Sequence, residues 1–234
     1  MSRGAAETAQ PVVVAWSGGK DSALALRAIQ RDARYRVAAL LTTVTAQYDR
    51  ISMHGVRRAL LRRQAESLGL PLEEVLISPG GSNDEYEAQM RVALERFRTR
   101  VSGFDSVVFG DLFLADIRSY RERMLARIGM TGLFPLWLRD TRALAQEFVG
   151  LGYRAVLVCV DTVQLPAAFA GREFDLALLR DLPAGADPCG ENGEFHTFVY
   201  AGPGLRSPVR HARGPVVLRD DRFVYCDLVD ALPQ

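Results

Sequence analysis

A short run of small and charged residues is the first candidate for chemistry in this sequence. Residues 17–22 read SGGKDS, follow the apolar run 12–16 and precede an amphipathic stretch, 23–29. This order predicts a β-strand, a tight glycine turn and an α-helix. Such a turn directs backbone N–H groups and the positive end of the helix dipole towards one point, which favours a phosphate group. The glycines allow the backbone angles that an anion-binding turn needs.

The loop differs from two common phosphate-binding motifs. A Walker A loop has Gly five positions before its Gly-Lys pair and Ser or Thr after the Lys, whereas this chain has Val14 and Asp21 there. The dinucleotide fingerprint G-x-G-x-x-G is absent. The only lysine of the chain, Lys20, lies in this loop, and an ammonium is a compact charge that arginine does not reproduce. We therefore predict that Lys20 contacts phosphate, the alternative being a surface lysine beside an unrelated turn.

A second candidate lies near the carboxyl end, where residues 187–198 read DPCGENGEFHTF. The pair Asn192-Gly193 is typical of a type I′ hairpin turn, so one interpretation is purely structural. If residues 194–200 form a strand, Glu194 and His196 share one of its faces. Two acidic side chains and a histidine around a tight turn could bind a cation or ammonium, or transfer protons.

Strands and helices are predicted to alternate through the first half of the chain. The predicted strands are 37–44, 72–77 and 104–109, and the predicted helices are 56–68 and 84–100. This alternation favours a parallel sheet with right-handed crossovers, whose ligands bind at the carboxyl ends of the strands. Residues 17–22, called the phosphate loop from here on, and Gly110-Asp111 both follow strands. We therefore expect them to meet if the two strands are neighbours. Asp111 would hold Mg²⁺ on the phosphates or, alternatively, cap the next helix.

The sequence pattern of the second half of the chain predicts a smaller domain. Residues 141–151 are helical in pattern, 153–161 resemble a strand, and short alternating stretches after 171 indicate some antiparallel sheet. The predicted division is a disordered tail at 1–10, a domain with the phosphate-binding turn at 11–130 and a second domain at 131–234.

Composition excludes several classes of protein. The 234 residues are 48% hydrophobic and 24% charged with a net charge of +1, which is ordinary for a globular protein and disfavours nucleic acid as a partner. No signal-peptide core or run of membrane-spanning length is visible, which predicts a cytoplasmic protein with no membrane contact. The three cysteines form no C-x-x-C pair, which disfavours disulfides, structural zinc and iron–sulfur clusters. The arginine cluster at 57–63 is interpreted as a solvated helix face rather than a partner surface.

The SGGKDS loop resembles the signature of the PP-loop ATP pyrophosphatases, which split ATP between its α and β phosphates. Together with Gly110-Asp111, the Pro-Leu-Trp run at 135–137 and residues 191–197, it makes residues 12–203 similar to the diphthine–ammonia ligase family. That family amidates diphthine, a modified histidine of translation elongation factor 2, with ATP and ammonium. The resemblance implies an α/β fold, a HUP-type doubly wound parallel sheet with a second, smaller α/β domain. The chain departs from the family pattern E-G-G-E-x-E-T at Asn192 and His196, which leaves the acceptor open.

The resemblance implies an ATP-dependent amide ligase that adenylates a substrate carboxylate, transfers ammonia and releases AMP and pyrophosphate. Its expected cofactors are ATP and Mg²⁺, and its expected partners are free ammonium and a carboxylate-bearing acceptor such as a modified protein side chain. The predicted catalytic residues are Lys20, Asp21, Glu191, Glu194 and His196, with Asp21 and Asp111 as metal ligands. The predicted nucleotide-binding residues are Ser17, Gly18, Gly19, Lys20, Asp21, Ser22, Thr42, Met53, His54, Gly110 and Asp111. The alternatives are an RNA-modifying PP-loop ligase or thiolase and a non-catalytic nucleotide sensor, and a homodimer stays open as an assembly.

Overall fold

The computed structural model describes residues 9–51, 54–78 and 80–231, which form two β-sheets with helices packed around them. The strands are β1 Gln10–Ala15, β2 Tyr35–Thr45, β3 Arg50–Ile51, β4 Leu72–Ile77, β5 Ser106–Val108, β6 Thr131–Leu133, β7 Arg154–Asp161, β8 Phe195–Ala201, β9 His211–Arg219 and β10 Phe223–Asp230. The helices are α1 Lys20–Gln30, α2 Arg58–Leu68, α3 Asn83–Arg100, α4 Ala115–Ala126, α5 Thr141–Gly150 and α6 Leu176–Asp181, with a 3-10 turn at Ala167–Phe169.

The first sheet, sheet A, contains β1 to β6. Strand β1 lies at its centre and pairs in parallel with β2 on one side and β5 on the other. Strand β2 also pairs in parallel with β4 and, at its end, with the short antiparallel β3. The strand order therefore reverses at β1, and a crevice at the carboxyl end of β1 is the expected ligand site of such a sheet. The predicted α/β fold is confirmed, and the condition for the two loops to meet is fulfilled, because β1 pairs with β5, the strand before Gly110.

Apolar runs and helix signals account for the local structure. Val12, Val13 and Val14 are almost completely buried, as expected of a central parallel strand covered on both faces. Helix α2 ends at Gly69, whose left-handed conformation is the common helix terminator that the sequence predicted. Helix α3 begins after Ser82, whose hydroxyl accepts a hydrogen bond from the Glu85 N–H. None of the helices within the described ranges has both the length and the apolar character needed to cross a bilayer.

The second sheet, sheet B, is antiparallel with the order β8-β7-β10-β9. It shares a hydrophobic core with sheet A, because one cluster of buried side chains includes Val12 and Leu24 as well as Phe195 and Leu228. Helix α1 also contacts β8. Strand β6, at 131–133, pairs with β5 in sheet A, just beyond the predicted boundary. Of the predicted tail, only residues 9 and 10 are described, and β1 begins at residue 10; the division into domains stays a prediction.

The arginine cluster at the start of α2 is neutralised by carboxylates from other elements. The ion pairs are Arg57 with Asp227, Arg58 and Arg62 with Glu74, and Arg63 with Asp230. This arrangement links α2 to β4 and β10. The arginine side chains are 25–52% exposed, as expected of a solvated helix face, but carboxylates neutralise their charges.

Candidate nucleotide-binding site

A cavity of about 820 Å³ opens at the carboxyl ends of β1, β2 and β5. Its volume lies in the range that small-molecule sites occupy. Most of the predicted site residues contribute to its wall, namely Ser17, Gly19, Lys20, Asp21, Ser22, Thr42, His54, Gly110, Asp111, Glu191 and His196. Gly18 and Glu194 lie behind this wall, and Met53 lies outside the described residues. The fold therefore brings both sequence motifs to one cavity.

The phosphate loop folds as a glycine turn that leads directly into α1. Gly18 has a φ of +80°, a conformation that other residues rarely adopt. The Ser17 hydroxyl accepts a hydrogen bond from the Gly19 N–H at 3.2 Å, and the Ser22 hydroxyl donates to the Gly19 carbonyl at 2.9 Å. These serines thus stabilise the turn itself.

Gly110 allows the loop after β5 to approach the first turn of α1. A Cβ atom at this position would lie 2.8 Å from the Asp21 carbonyl carbon and 3.0 Å from the Ser22 nitrogen. Both atoms belong to the backbone and cannot move aside easily, so only glycine fits. The close approach places the next residue, Asp111, beside the phosphate loop.

The Lys20 ammonium connects the phosphate loop with the second motif. Its side chain is only 3% exposed, and Nζ donates to Asp21 Oδ2 at 2.8 Å and to the Cys189 carbonyl oxygen. The rings of Phe174 and Phe195 lie 5.8 and 5.4 Å from Nζ. Burial by itself would lower the pKa of Lys20, but Asp21 and the anionic neighbours outweigh it and raise that pKa. The lysine is therefore charged and held in a largely enclosed site.

Asp111 also carries a cationic partner. Its Oδ2 lies 2.7 Å from Arg121 Nε, and the Arg121 guanidinium lies 4.5 Å from the centre of the Phe109 ring. Burial raises the pKa of Asp111, although Arg121 opposes this shift. Over the described part of the chain, no three His, Cys, Asp or Glu residues are grouped so that they could hold a metal ion. The metal role of Asp21 and Asp111 stays a prediction.

The second motif is not a β-hairpin. A type I′ turn requires positive φ at both central residues, whereas only Gly193 has one, at 86°, and Asn192 does not. Strand β8 pairs instead with β7, some thirty residues earlier in the chain. The hairpin interpretation is therefore wrong, because a distant strand and not the preceding segment supplies the partner.

Residues 187–194 form a loop in which two carboxylates accept hydrogen bonds from other residues of the same loop. Glu194 Oε1 accepts from the Asp187 N–H at 2.8 Å and from Asn192 Nδ2 at 3.0 Å, and Asp187 Oδ2 accepts from the Glu191 N–H at 2.9 Å. Glu191 Oε1 in turn accepts from the Leu112 N–H at 2.8 Å, which joins the loop to the segment after β5. All three carboxylates of this region thus have structural partners.

His196 and His54 form a half-buried pair in the cavity wall. Their ring centres are 4.3 Å apart. Burial, with a smaller contribution from the Lys20 charge, lowers the pKa of His196 to about 4. Burial and the neighbouring His196 also lower the pKa of His54 well below its ordinary value. Both rings are therefore uncharged at neutral pH.

Sequence reasoning missed the residues that attach the phosphate loop to sheet B. Gln64 of α2 is fully buried, accepts from Trp16 Nε1 at 3.0 Å, and donates to the carbonyls of Gly18 at 3.0 Å and Val199 at 2.5 Å. Thr197 Oγ1 accepts from the Lys20 N–H at 3.0 Å. Thr197 belongs to the second motif, so its role could have been suspected. Gln64 lies in the arginine-rich helix α2, and nothing in the sequence around it indicates this role.

Several buried polar atoms in the cavity wall have no hydrogen-bond partner among the described residues. They are Asp21 Oδ1, Thr42 Oγ1, His54 Nδ1 and the two atoms of the Asp111–Arg121 ion pair, Asp111 Oδ2 and Arg121 Nε. Buried polar atoms in native proteins are nearly always paired. Five such atoms around one cavity, two of them in an ion pair, indicate a site that is completed by a polar ligand.

Comparisons with known proteins agree with this geometry. A family model described as the diphthamide synthase N-terminal domain matches residues 10–132, and one described as the diphthamide synthase C-terminal domain matches residues 140–212. The chain is 30% identical to a diphthine–ammonia ligase of Danio rerio over 175 residues, which is 68% of each protein. It is 28% identical to a diphthine–ammonia ligase of Schizosaccharomyces pombe over 120 residues, which is 50% of this chain but only 20% of the yeast protein. The predicted resemblance is thereby confirmed, and the chain belongs to the diphthamide synthase family.

Proposed function

We propose that this protein is an ATP-dependent amide ligase that activates a substrate carboxylate as an acyl-adenylate and then transfers ammonia to it. The names of its relatives support a carbon–nitrogen ligase that uses ammonia. The observation that carries the proposal is the Lys20 ammonium, which starts the helix at the phosphate loop and is also bound by the Cys189 carbonyl of the second motif. Nucleotide and amine chemistry would therefore share one cavity.

The residues present fit ATP. Gly19 and Gly110 keep side chains away from the start of α1, where backbone dipoles favour phosphate. Lys20 supplies an ammonium, and the unpartnered Thr42 Oγ1 and His54 Nδ1 offer hydrogen-bonding groups to other parts of the nucleotide. Asp21 Oδ1 is a buried carboxylate oxygen without a partner in the described structure and fits Mg²⁺. Bound there, the ion would neutralise charge on the leaving pyrophosphate.

The proposed reaction has two steps. In the first, an oxygen of the acceptor carboxylate attacks the α-phosphorus of ATP, the bond to the β-phosphate oxygen breaks, and pyrophosphate leaves with the electron pair. In the second, ammonia attacks the acyl carbon, the bond to the AMP oxygen breaks, and one proton is released as the amide forms. Lys20 and the start of α1 stabilise negative charge in the first step, as preorganised donors do in other phosphoryl-transfer sites.

The second motif is suited to the amine. Glu194 is 1% exposed, and its Oε2 has no hydrogen-bond partner within the described chain. Its charge, together with that of Glu191, would attract ammonium into the site. His196 is uncharged at neutral pH because of its low pKa, so it does not repel ammonium and can accept a hydrogen bond from it. We assign positioning of ammonium to Glu191, Glu194 and His196, and proton acceptance to the two glutamates.

The test is to identify the products. The protein is incubated with ATP labelled at the α-phosphate, Mg²⁺, ammonium chloride and fractions of a cell extract as the source of acceptor. We expect AMP and pyrophosphate, released only when both ammonium and an active fraction are present. ADP and orthophosphate as main products would reject the proposed cleavage. Tight ATP binding without any AMP release from any fraction would favour a nucleotide sensor instead.

A further inference from the structure

We propose that Arg121 is a second cationic contact for the phosphate groups of the nucleotide, held at the cavity wall by Asp111. This inference rests on the nucleotide binding of the proposed function and extends it to a residue of α4 that belongs to neither sequence motif. It makes the phosphate site a two-cation site, formed by Lys20 of the loop and Arg121 of α4.

The Arg121 side chain is held in place, but its terminal N–H groups have no hydrogen-bond acceptor among the described residues. It is 28% exposed and lines the cavity, with its guanidinium against the face of Phe109 and its Nε 2.7 Å from Asp111 Oδ2. No described residue accepts a hydrogen bond from either of its terminal nitrogens. A guanidinium has five N–H donors in a planar fork that matches the oxygens of a phosphate. The ring and the carboxylate therefore fix a donor group whose outer N–H groups are available to a ligand.

Arg121 is brought to the phosphate loop by backbone packing. Gly110 lies against the backbone of Asp21 and Ser22, so Asp111 immediately follows a point of contact with the loop. Arg121 is held by Asp111 and reaches this point from α4, on the side of β1 where β5 lies. Its guanidinium thus lines the same cavity as Lys20.

The charges of the cavity wall indicate that a triphosphate needs a second cation there. Among the described residues, the charged side chains in the wall are two cations, Lys20 and Arg121, and three carboxylates, Asp21, Asp111 and Glu191. Each cation has one aspartate partner, so the wall has no excess positive charge to receive a triphosphate. A polyphosphate becomes favourable there only if the cations contact its oxygens. Lys20 alone supplies a single point charge, whereas Arg121 can donate two parallel hydrogen bonds.

Helix α4 offers a matched control. Arg118 lies one turn before Arg121 on the same helix, and its guanidinium stands 4.7 Å from the rings of both Phe134 and Trp137. It pairs with Glu122 at 2.8 Å and does not line the cavity. Arg118 thus shares the charge, the helix and the aromatic contacts of Arg121 without access to the nucleotide.

The experiment measures binding of ATP and AMP by calorimetry in the presence of Mg²⁺ for the wild type, Arg121→Gln and Arg118→Gln. We expect Arg121→Gln to weaken ATP binding by about tenfold or more, the effect of one charge-assisted contact. Binding of AMP should change less than about twofold, and Arg118→Gln should leave both affinities unchanged. Arg121→Lys, which keeps the charge but not the fork, should lie between the wild type and Arg121→Gln.

Wild-type ATP affinity in Arg121→Gln, or equal loss of ATP and AMP affinity, would overturn the assignment while leaving the proposed ligase function intact. Failure of the wild type to bind ATP would reject the proposed function together with this inference. Thermal unfolding of each variant shows whether it is folded. If Arg121→Gln is not, the Arg121→Lys comparison decides: ATP binding as tight as that of the wild type would then reject the need for a guanidinium.

Discussion

Replacing Gln64 by leucine tests how the phosphate loop is held. The glutamine is fully buried between the loop and sheet B, where it accepts from Trp16 Nε1 and donates to the carbonyls of Gly18 and Val199. Leucine has a similar volume and is a better helix former, so neither a large cavity nor a loss of helix propensity is expected. The substitution removes three hydrogen bonds and little else.

The expected loss of stability follows from the polar groups that lose a hydrogen-bond partner. The Trp16 indole N–H loses its partner in a buried environment, which costs about 1–3 kcal/mol. The Gly18 carbonyl retains a hydrogen bond from the Val199 N–H at 2.9 Å, so its loss is smaller. We therefore expect Gln64→Leu to lower the free energy of unfolding by about 2–4 kcal/mol, a large part of the usual 5–15 kcal/mol of a domain. Because the loop loses a contact on its β8 side, ATP affinity should fall as well.

Urea denaturation followed by circular dichroism measures the stability, and calorimetry measures the affinity for ATP. With a slope near 3 kcal/mol/M, the midpoint should fall by about 1 M without a change in slope. Gln89→Leu is the control, since Gln89 is exposed on α3 and its replacement should change neither quantity. If Gln64→Leu unfolds at the same midpoint as Gln89→Leu and binds ATP as the wild type does, the loop does not depend on these hydrogen bonds.

Three further predictions address the lysine, the histidine pair and the acid stability. An acyl-phosphate analogue of ATP should acylate Lys20, with protection by excess ATP, and Lys20→Arg should slow turnover because a planar donor replaces a point charge; an unlabelled Lys20 at saturating probe would contradict this. His196→Ala should abolish amide formation with ATP affinity nearly unchanged, whereas His211→Ala, which lies outside the cavity wall, should affect neither. Burial would raise the pKa of Asp227, but hydrogen bonds from Arg57 and Arg50 outweigh it and hold that pKa at about 2. This carboxylate therefore contributes about 1–2 kcal/mol of stability that is present above about pH 4 and is lost as the pH falls through about 2; Asp227→Asn should reduce the difference in urea midpoint between pH 5.5 and pH 2.5, and an unchanged difference would refute the ion pairs as its cause.

Local sequence signals were sufficient for the phosphate loop and for the order of elements. The loop could be predicted because the strand, the turn and the helix are all specified within about twenty consecutive residues, each by its own pattern of apolar, glycine and polar residues. The meeting of the loop with Gly110-Asp111 followed from one topological rule about parallel sheets, and β1 does pair with β5. The ends of the predicted elements lie within a few residues of those in the structure, as frayed termini allow.

Features that depend on partners distant in the sequence were interpreted wrongly or could not be detected. Asn192-Gly193 has the composition of a hairpin turn, but the partner of β8 is β7, so the local rule did not apply. The positive charges at 57–63 are paired with carboxylates that lie from twelve to 170 residues away along the chain, which no local charge count can reveal. Gln64 carries no signal in its own helix, because the donors and acceptors that define it belong to β8 and to the phosphate loop.

The phosphate loop is built by both halves of the chain, and this bears on how the two chemical steps are linked. Thr197 and Val199 of β8 bind the backbone of the loop, while the Cys189 carbonyl binds the Lys20 ammonium. Any contact that Lys20 makes to a phosphate must therefore compete with or add to its contact with Cys189. The loop that holds Cys189 also holds Glu191 and Glu194, so under the proposed function a change at the phosphate end would be transmitted to the carboxylates assigned to ammonium through a few covalent bonds. Nucleotide binding and amine positioning would then be coupled by direct contact.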